Sequence, residues 1–156
     1  MPPPPPPEPQ PLPAGGPAPM AMPAAGNLAR PGLRLVGGLI DLIILSVVSG
    51  IVGAIVRNNS GISAAVGLVL TLLYFGYLLS SRGQSVGHMV FGFHVRDIQT
   101  GQYPSMGKAV LRGFIWYLEV GFTICIVGLI GWLWMFWDPQ KQGWHDKAAG
   151  TIVTTS

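Results

Sequence analysis

Residues 33–56 read LRLVGGLIDLIILSVVSGIVGAIV, an apolar run of about 24 residues whose only ionisable side chains are Arg34 and Asp41. A helix of that length can cross the hydrocarbon core of a bilayer with some tilt. A second apolar run, residues 62–79, carries no charge, and the polar stretch 57–61 between the two is too short for anything but a hairpin connection. The two runs therefore predict a pair of transmembrane helices.

The composition of the chain favours a membrane over the alternative of two buried helices in a soluble protein. Of the 156 residues, 49% are hydrophobic and 10% are charged, whereas about a quarter of the residues of soluble proteins are charged. The net charge of +3 rests on few basic residues, and they are not clustered with aromatic residues as in nucleic-acid-binding surfaces. We therefore expect the lipid bilayer, and not a nucleic acid, as the partner of this chain.

Residues 109–137 form a third apolar stretch, which contains Arg112 and Glu119. At about 29 residues it is long for one straight span. Gly121 lies just after Glu119, and two alternatives remain there: a kink, or a re-entrant half-helix that turns back. The sequence thus predicts an all-α integral membrane protein, a small helical bundle of about three transmembrane segments with the third kinked or re-entrant.

Basic residues indicate the orientation of the chain. Six of them flank the first helix or surround the polar loop 80–108, whereas the turn between the first two helices has only Arg57. The positive-inside rule then places the N-terminus and this loop in the cytoplasm. A re-entrant third segment would bring the tail, 138–156, to the same side. We favour that arrangement, in which candidate strands at 90–97 and 149–156 form a short cytoplasmic pair.

The first 29 residues form a separate block that is rich in proline, including the unbroken run Pro2–Pro7. Proline lacks the N–H that helices and sheets use, and the block has few large apolar side chains with which to form a core. We predict a disordered, extended arm at 1–29. Its proline pattern makes it a candidate site for a protein partner, although a solvated spacer is the simpler interpretation.

Two apolar segments share one spacing of charges: Asp41 follows Arg34 by seven residues, and Glu119 follows Arg112 by seven residues. Ionisable groups inside a membrane are costly, and they are usually functional. If both helices begin at the cytoplasmic face, the arginines form one tier and the acids another. Asp41 and Glu119 would then be a candidate ion-binding pair. The alternative is that the four charges neutralise each other and hold the helices together.

The sequence offers little evidence for catalysis or for a metal site. The spacing of His88, His94 and His145 is not that of metal ligands. His145 and Asp146 are neighbours, but adjacent side chains diverge and no nucleophile is spaced to match them. We therefore expect a protein that is not an enzyme and that has no catalytic residues, no bound metal and no cofactor.

Several motifs in combination resemble the RDD family of bacterial membrane proteins. The resemblance covers about residues 30–156, which would be an RDD-like transmembrane domain, and it is carried by Arg34, Asp41, GQSVGHMVFGFHVRD at 83–97, Arg112 and GWHDKAAGTIV at 143–153. A proline-rich arm ahead of such a domain resembles the proline-rich-antigen-like members of the family.

The family takes its name from one arginine and two aspartates, which the resemblance places at Arg34, Asp41 and Asp146. It implies a multi-pass protein of the plasma membrane, with transport of unidentified ligands suggested. His88 and His94 stand where the family often has basic residues. That departure weakens the case for contacts between this loop and anionic lipids or ligands.

Two functions follow from these patterns. The first is transport of an unidentified ligand, with cation/proton exchange at Asp41 and Glu119 as its most specific form. Arg34, Arg112 and His145 would then act as charges at the cytoplasmic face. Because three helices enclose little pathway, we expect a homo- or hetero-oligomer. The second is a non-catalytic membrane scaffold or partner subunit, which recruits proteins through its proline-rich arm.

Overall fold

The computed structural model of the protein describes residues 27–55 and 60–155. These residues form six α-helices, two single turns of 3-10 helix and two short strands. The helices are α1 (Pro31–Ile55), α2 (Ser60–Arg82), α3 (Val86–Val90), α4 (Met106–Phe122), α5 (Val127–Leu133) and α6 (Trp144–Ala149), and the strands are β1 (Phe93–Asp97) and β2 (Thr151–Thr155). Residues 1–26 of the predicted arm lie outside the described residues, as does most of the turn predicted at 57–61.

Helices α1 and α2 match the two apolar runs, and both are long and apolar enough to cross a membrane. In the most apolar 18-residue segment of each helix, only 22% of α1 and 28% of α2 is buried inside the chain. The buried face of α1 carries Arg34, Asp41 and Leu45 with two glycines, while aliphatic residues such as Ile43 and Ile51 are exposed. This pattern is the reverse of a soluble helix, and it indicates that lipid or another apolar surface covers the outside.

The third apolar stretch is not one helix over 109–137, because the chain turns back on itself within it. After α4, a single turn of 3-10 helix at Thr123–Cys125 leads to Ile126, whose φ is +66°. A Cβ on Gly128 of α5 would lie 1.9 Å from the carbonyl oxygen of Glu119, although residues nine apart in a straight helix are separated by about 13.5 Å. Helices α4 and α5 therefore form a hairpin, and its break is at Ile126 instead of Gly121.

The two predicted strands pair with each other, in antiparallel register with Val95 opposite Val153. They are shorter than predicted because residue 90 still belongs to α3 and residue 149 to α6. Leu28 bridges to Thr154, and the Ala29 N–H donates a hydrogen bond of 2.9 Å to the Val153 carbonyl. Leu28 and Ala29, which the sequence assigned to the arm, thus join the edge of the sheet.

Helix α2 lies between α1 and α4 and packs against both. The core of the chain is formed by Phe75 and Leu79 of α2 with Leu45 and Trp116 from its neighbours. The aromatic rings of Phe75 and Trp116 are 5.1 Å apart between centroids. This packing sets α1 and α4 on either side of α2. The short helices α3 and α6 close the end of the bundle at which α1 and α4 begin.

Candidate functional site

A buried carboxylate, Asp146 of α6, joins the two arginines that begin the long helices. Arg34 of α1 donates to its Oδ2 and Arg112 of α4 donates to its Oδ1, and all three side chains are buried. Arg34 also donates to the Lys141 carbonyl, and Arg112 donates to the Thr151 hydroxyl at 3.0 Å. Asp146 therefore holds α1, α4 and the tail together by charge-assisted hydrogen bonds.

The two arginines also keep Asp146 ionised. Burial by itself raises the pKa of this carboxyl, but the charges of Arg112 and Arg34 outweigh it and hold the pKa of Asp146 well below its usual range. One negative charge thus faces two positive charges. The three-residue cluster carries one net positive charge inside the bundle.

Asp41 of α1 is buried in a different environment. Its Oδ1 accepts hydrogen bonds from the Tyr74 hydroxyl at 2.6 Å and the Gly87 backbone N–H at 2.7 Å, and its Oδ2 accepts one from Ser85 at 2.6 Å. All of these donors are neutral. Gly87 can approach because it has no side chain: a Cβ there would lie 1.9 Å from the carbonyl oxygen of Gly37 on α1.

His88 lies next to this carboxylate, with its Nδ1 4.0 Å from Asp41 Oδ2. Its Nδ1 is also within hydrogen-bonding distance of the Ser85 hydroxyl. Ser85 gives its single hydroxyl proton to Asp41. We therefore infer that the hydrogen bond between His88 and Ser85 is donated by a proton on His88 Nδ1. Burial, followed by the charges of Arg112 and Arg34, holds the pKa of His88 well below its usual range, so the ring is neutral.

Glu119 of α4 is bound to His145 of α6. The His145 backbone N–H donates to Glu119 Oε1 at 3.1 Å, and His145 Nδ1 lies 2.7 Å from Oε2. His145 Nε2 is 3.6 Å from Asp146 Oδ2, so the adjacent histidine and aspartate do approach each other. This connects the Glu119 pair to the arginine cluster through α6.

Five of these polar side chains line one small cavity. The space open to the centre of a water-sized molecule is about 20 Å³, which is sufficient for a water molecule. Its polar wall consists of Arg34, Asp41, His88, Arg112 and His145, and its apolar wall consists of Gly38, Phe75, Trp116, Trp132 and Met135.

The sequence profile of the RDD family matches residues 28–150. The chain belongs to the RDD family. The three residues that the resemblance assigned to the family motif, Arg34, Asp41 and Asp146, are all buried in this RDD domain, and the first two line its cavity. With two apolar helices exposed on their outer faces, this RDD protein is of the membrane type.

Two curated relatives are also similar to this RDD protein. The chain is 29% identical over 86 residues to the proline-rich antigen homolog of Mycobacterium tuberculosis (strain CDC 1551 / Oshkosh), a match that covers 55% of the chain and 34% of the relative. It is 32% identical over 78 residues to the proline-rich antigen of Mycobacterium leprae (strain TN), covering 50% of the chain and 29% of the relative. The matches thus span about a third of the relatives' own length. No solved structure matches the chain.

Some of the residues that the sequence predicted to act together have different partners in the RDD fold. Asp41 and Glu119 have different hydrogen-bond partners, and both arginines pair with Asp146 instead of with these two acids. Within 27–55 and 60–155, no group of three or more histidines, cysteines or acids could hold a metal ion.

The partners of Asp41 were missed by sequence reasoning, as was Trp132 in the cavity wall. Tyr74, Ser85 and Gly87 lie 33, 44 and 46 residues after Asp41 in the sequence. The glycine-rich motif at 83–97 contained two of them. A search for ionisable groups passes over such neutral donors.

Proposed function

We propose that this RDD protein is a multi-pass protein of the plasma membrane that exchanges protons for a cation, with Asp41 as the exchanging group. The observation that supports this most is the contrast between its two buried aspartates. Asp146 is bound by two guanidinium groups, whereas the hydrogen-bond donors around Asp41 are neutral. Asp41 can therefore take up a proton or a cation without the loss of an ion pair.

The other groups around the cavity supply a path for protons. His88 lies on one side of the cavity next to Asp41, and His145 lies on its wall with Glu119 bound to it. Chains of acids and histidines inside membrane proteins commonly form proton relays. In this proposal Asp41 binds the proton and the cation in turn, and His145 with Glu119 passes protons to and from the cavity, while Arg34 and Arg112 stay fixed by Asp146. A homo- or hetero-oligomer would enclose the rest of the pathway.

The test is the collapse of a proton gradient in everted membrane vesicles, followed with a pH-sensitive dye on addition of sodium, lithium or potassium. We expect at least one of these cations to dissipate the gradient with the unaltered chain and not with Asp41→Asn, which is nearly isosteric. Asp97→Asn is the matched control, because it makes the same chemical change at a carboxylate on β1, which is bound to Lys108 outside the cavity. Activity that survives Asp41→Asn at equal protein levels would overturn the proposal.

A second function is favoured by the bridge at Asp146. Because Arg34, Arg112 and Asp146 join three elements, the buried charges also suit a non-catalytic scaffold in which they serve assembly. The proline-rich residues 2–26 would then recruit a protein partner. This alternative predicts that the unaltered chain behaves as empty vesicles in the gradient assay, and that deletion of residues 2–26 abolishes partner binding without a change in membrane insertion.

A further inference from the structure

Two open grooves lie between α1 and α2, at the end of the bundle away from the sheet. The outer groove, of about 380 Å³, is lined by Ser49, Gly50, Gly53, Ala54 and Ser63. The inner groove, of about 220 Å³, shares Ser49 and Ser63 with the outer one and reaches Trp116 of α4. Trp116 also lines the cavity that Asp41 lines. The three spaces therefore follow one another from the end of α1 to Asp41, with common residues at each junction.

The inner groove is lined by hydroxyl groups as well as by apolar side chains. The hydroxyl groups belong to Ser46, Ser49, Ser63, Thr71 and Tyr117. Thr71 donates to the Gly67 carbonyl at 2.8 Å. Tyr117 donates to the Ala64 carbonyl at 2.9 Å. Because a hydroxyl oxygen has two lone pairs besides its proton, both oxygens can still accept from water or bind a cation. Such groups are poorly suited to contact with lipid tails, which offer no hydrogen bonds.

The inner groove points towards Asp41. On α1, Ser49 follows Asp41 by eight residues, and residues at intervals of four lie on one face of a helix. On α2, Thr71 precedes Tyr74 by three residues, and the Tyr74 hydroxyl donates to Asp41 at 2.6 Å. The buried side chain of Trp116 lies at the junction of groove and cavity. The groove thus ends against the wall of the cavity.

The depth of Asp41 in the bundle makes a polar path to it necessary for exchange. Asp41 lies ten residues after Pro31, about 15 Å along the axis of α1, which is half of a hydrocarbon core of about 30 Å. An exchanger must expose its site to each side of the membrane in turn. The grooves approach Asp41 from the side opposite to the sheet, and their hydroxyl oxygens can replace part of the water around a cation.

We infer that the two grooves form a water-filled entry path for a hydrated monovalent cation, closed at its inner end by Trp116. The cation and its destination rest on the proposed exchange at Asp41, whereas the presence of water can be measured without transport. The competing occupants are a lipid chain and a helix from a second copy of the chain, because small residues also allow helices to pack closely.

The test compares three single cysteines on α1 in a Cys125→Ser background. Ser46→Cys and Ser49→Cys lie in the inner groove, and Val47→Cys lies on the outer face, where Val47 is 55% exposed. The reagent is a charged, membrane-impermeant methanethiosulfonate, applied to intact cells and to everted vesicles. It reacts with the thiolate, which forms in water and is suppressed in apolar surroundings. From the side on which Asn58→Cys reacts, we expect Ser46→Cys and Ser49→Cys to react about tenfold or more faster than Val47→Cys.

Depth alone cannot produce that order, because Val47 lies between the two serines in depth. Equal rates at the three positions would overturn the water-filled path. Oxidative formation of a disulfide between two copies through Ser49→Cys would then assign the groove to a second copy, and its absence would assign the groove to lipid. A thiol is close to a hydroxyl in size, and either serine variant decides the comparison if the other does not fold.

Labelling of cells before vesicles are prepared connects the path to exchange. A bulky group on Ser49→Cys should abolish cation-driven proton movement, and the same treatment of Val47→Cys should leave it unchanged. Fast labelling of the serine positions without exchange by the unaltered chain would support the water-filled grooves and contradict the proposed exchanger. Exchange that survives complete labelling of Ser49→Cys would contradict the path and leave the exchanger in place.

Discussion

Among single residues, Asp146 is the one on which the buried charges depend. We expect Asp146→Asn to lower the free energy of unfolding by about 3–5 kcal/mol, because Arg34 and Arg112 would be left buried without their shared counter-ion. The measurement is denaturant unfolding of the purified chain in detergent. Asp97→Asn is the control: its partner Lys108 is 30% exposed, so we expect a loss of about 1 kcal/mol or less. Equal losses in the two variants would contradict a structural role for the Asp146 bridge.

The sequence identified the charged residues of the site, but it did not show that both arginines pair with Asp146. The equal spacing of Arg34–Asp41 and Arg112–Glu119 identified four buried ionisable groups, because charges stand out in apolar helices. The pairing depends on the position of the tail, which folds back across the start of both helices. Asp146 was available only from the family motif, since in its local sequence it is one polar residue among several.

Among the elements, the hairpin of α4 and α5 depends on a close approach at Gly128. A Cβ there would lie 1.9 Å from the Glu119 carbonyl oxygen, and backbone cannot give way as a side chain can. We expect Gly128→Ala to cost about 3 kcal/mol in unfolding free energy. Gly121→Ala is the control, because a Cβ at Gly121 meets nothing within 4 Å. It should be neutral or stabilise α4 by about 0.5–1 kcal/mol. A greater loss in Gly121→Ala than in Gly128→Ala would contradict a break at Ile126.

The sequence predicts that the third apolar stretch is interrupted, but it does not predict the residue at which the chain turns. A stretch of about 29 apolar residues is long for one straight span, which favours a break. The expected position was Gly121, because glycine weakens a helix. The chain instead bends at Ile126, a residue that rarely adopts positive φ. The packing of Gly128 against α4 favours a bend at this point, and the local backbone preference of Ile126 does not predict it.

At the scale of the whole molecule, the small sheet constrains how the chain crosses a membrane. Leu28, β1 and β2 are joined by hydrogen bonds, so they must lie on one side of the bilayer. Helices α1 and α2 between the first two would supply two crossings. The α4–α5 hairpin must then return to the side on which it started. Its tip is apolar, with Ile126 66% exposed, which suits insertion into lipid better than contact with water.

This topology can be tested by labelling single cysteines with a membrane-impermeant maleimide, in a Cys125→Ser background. Gln99→Cys and Ala148→Cys report on exposed positions just after β1 and just before β2, and Asn58→Cys reports on the stretch between α1 and α2. With the N-terminus in the cytoplasm, we expect Asn58→Cys to react in intact cells and the other two only in everted vesicles. Opposite sides for Gln99→Cys and Ala148→Cys would contradict the hairpin. Reversal of all three would contradict only the orientation, because the sheet requires a common side and the basic residues decide which side that is.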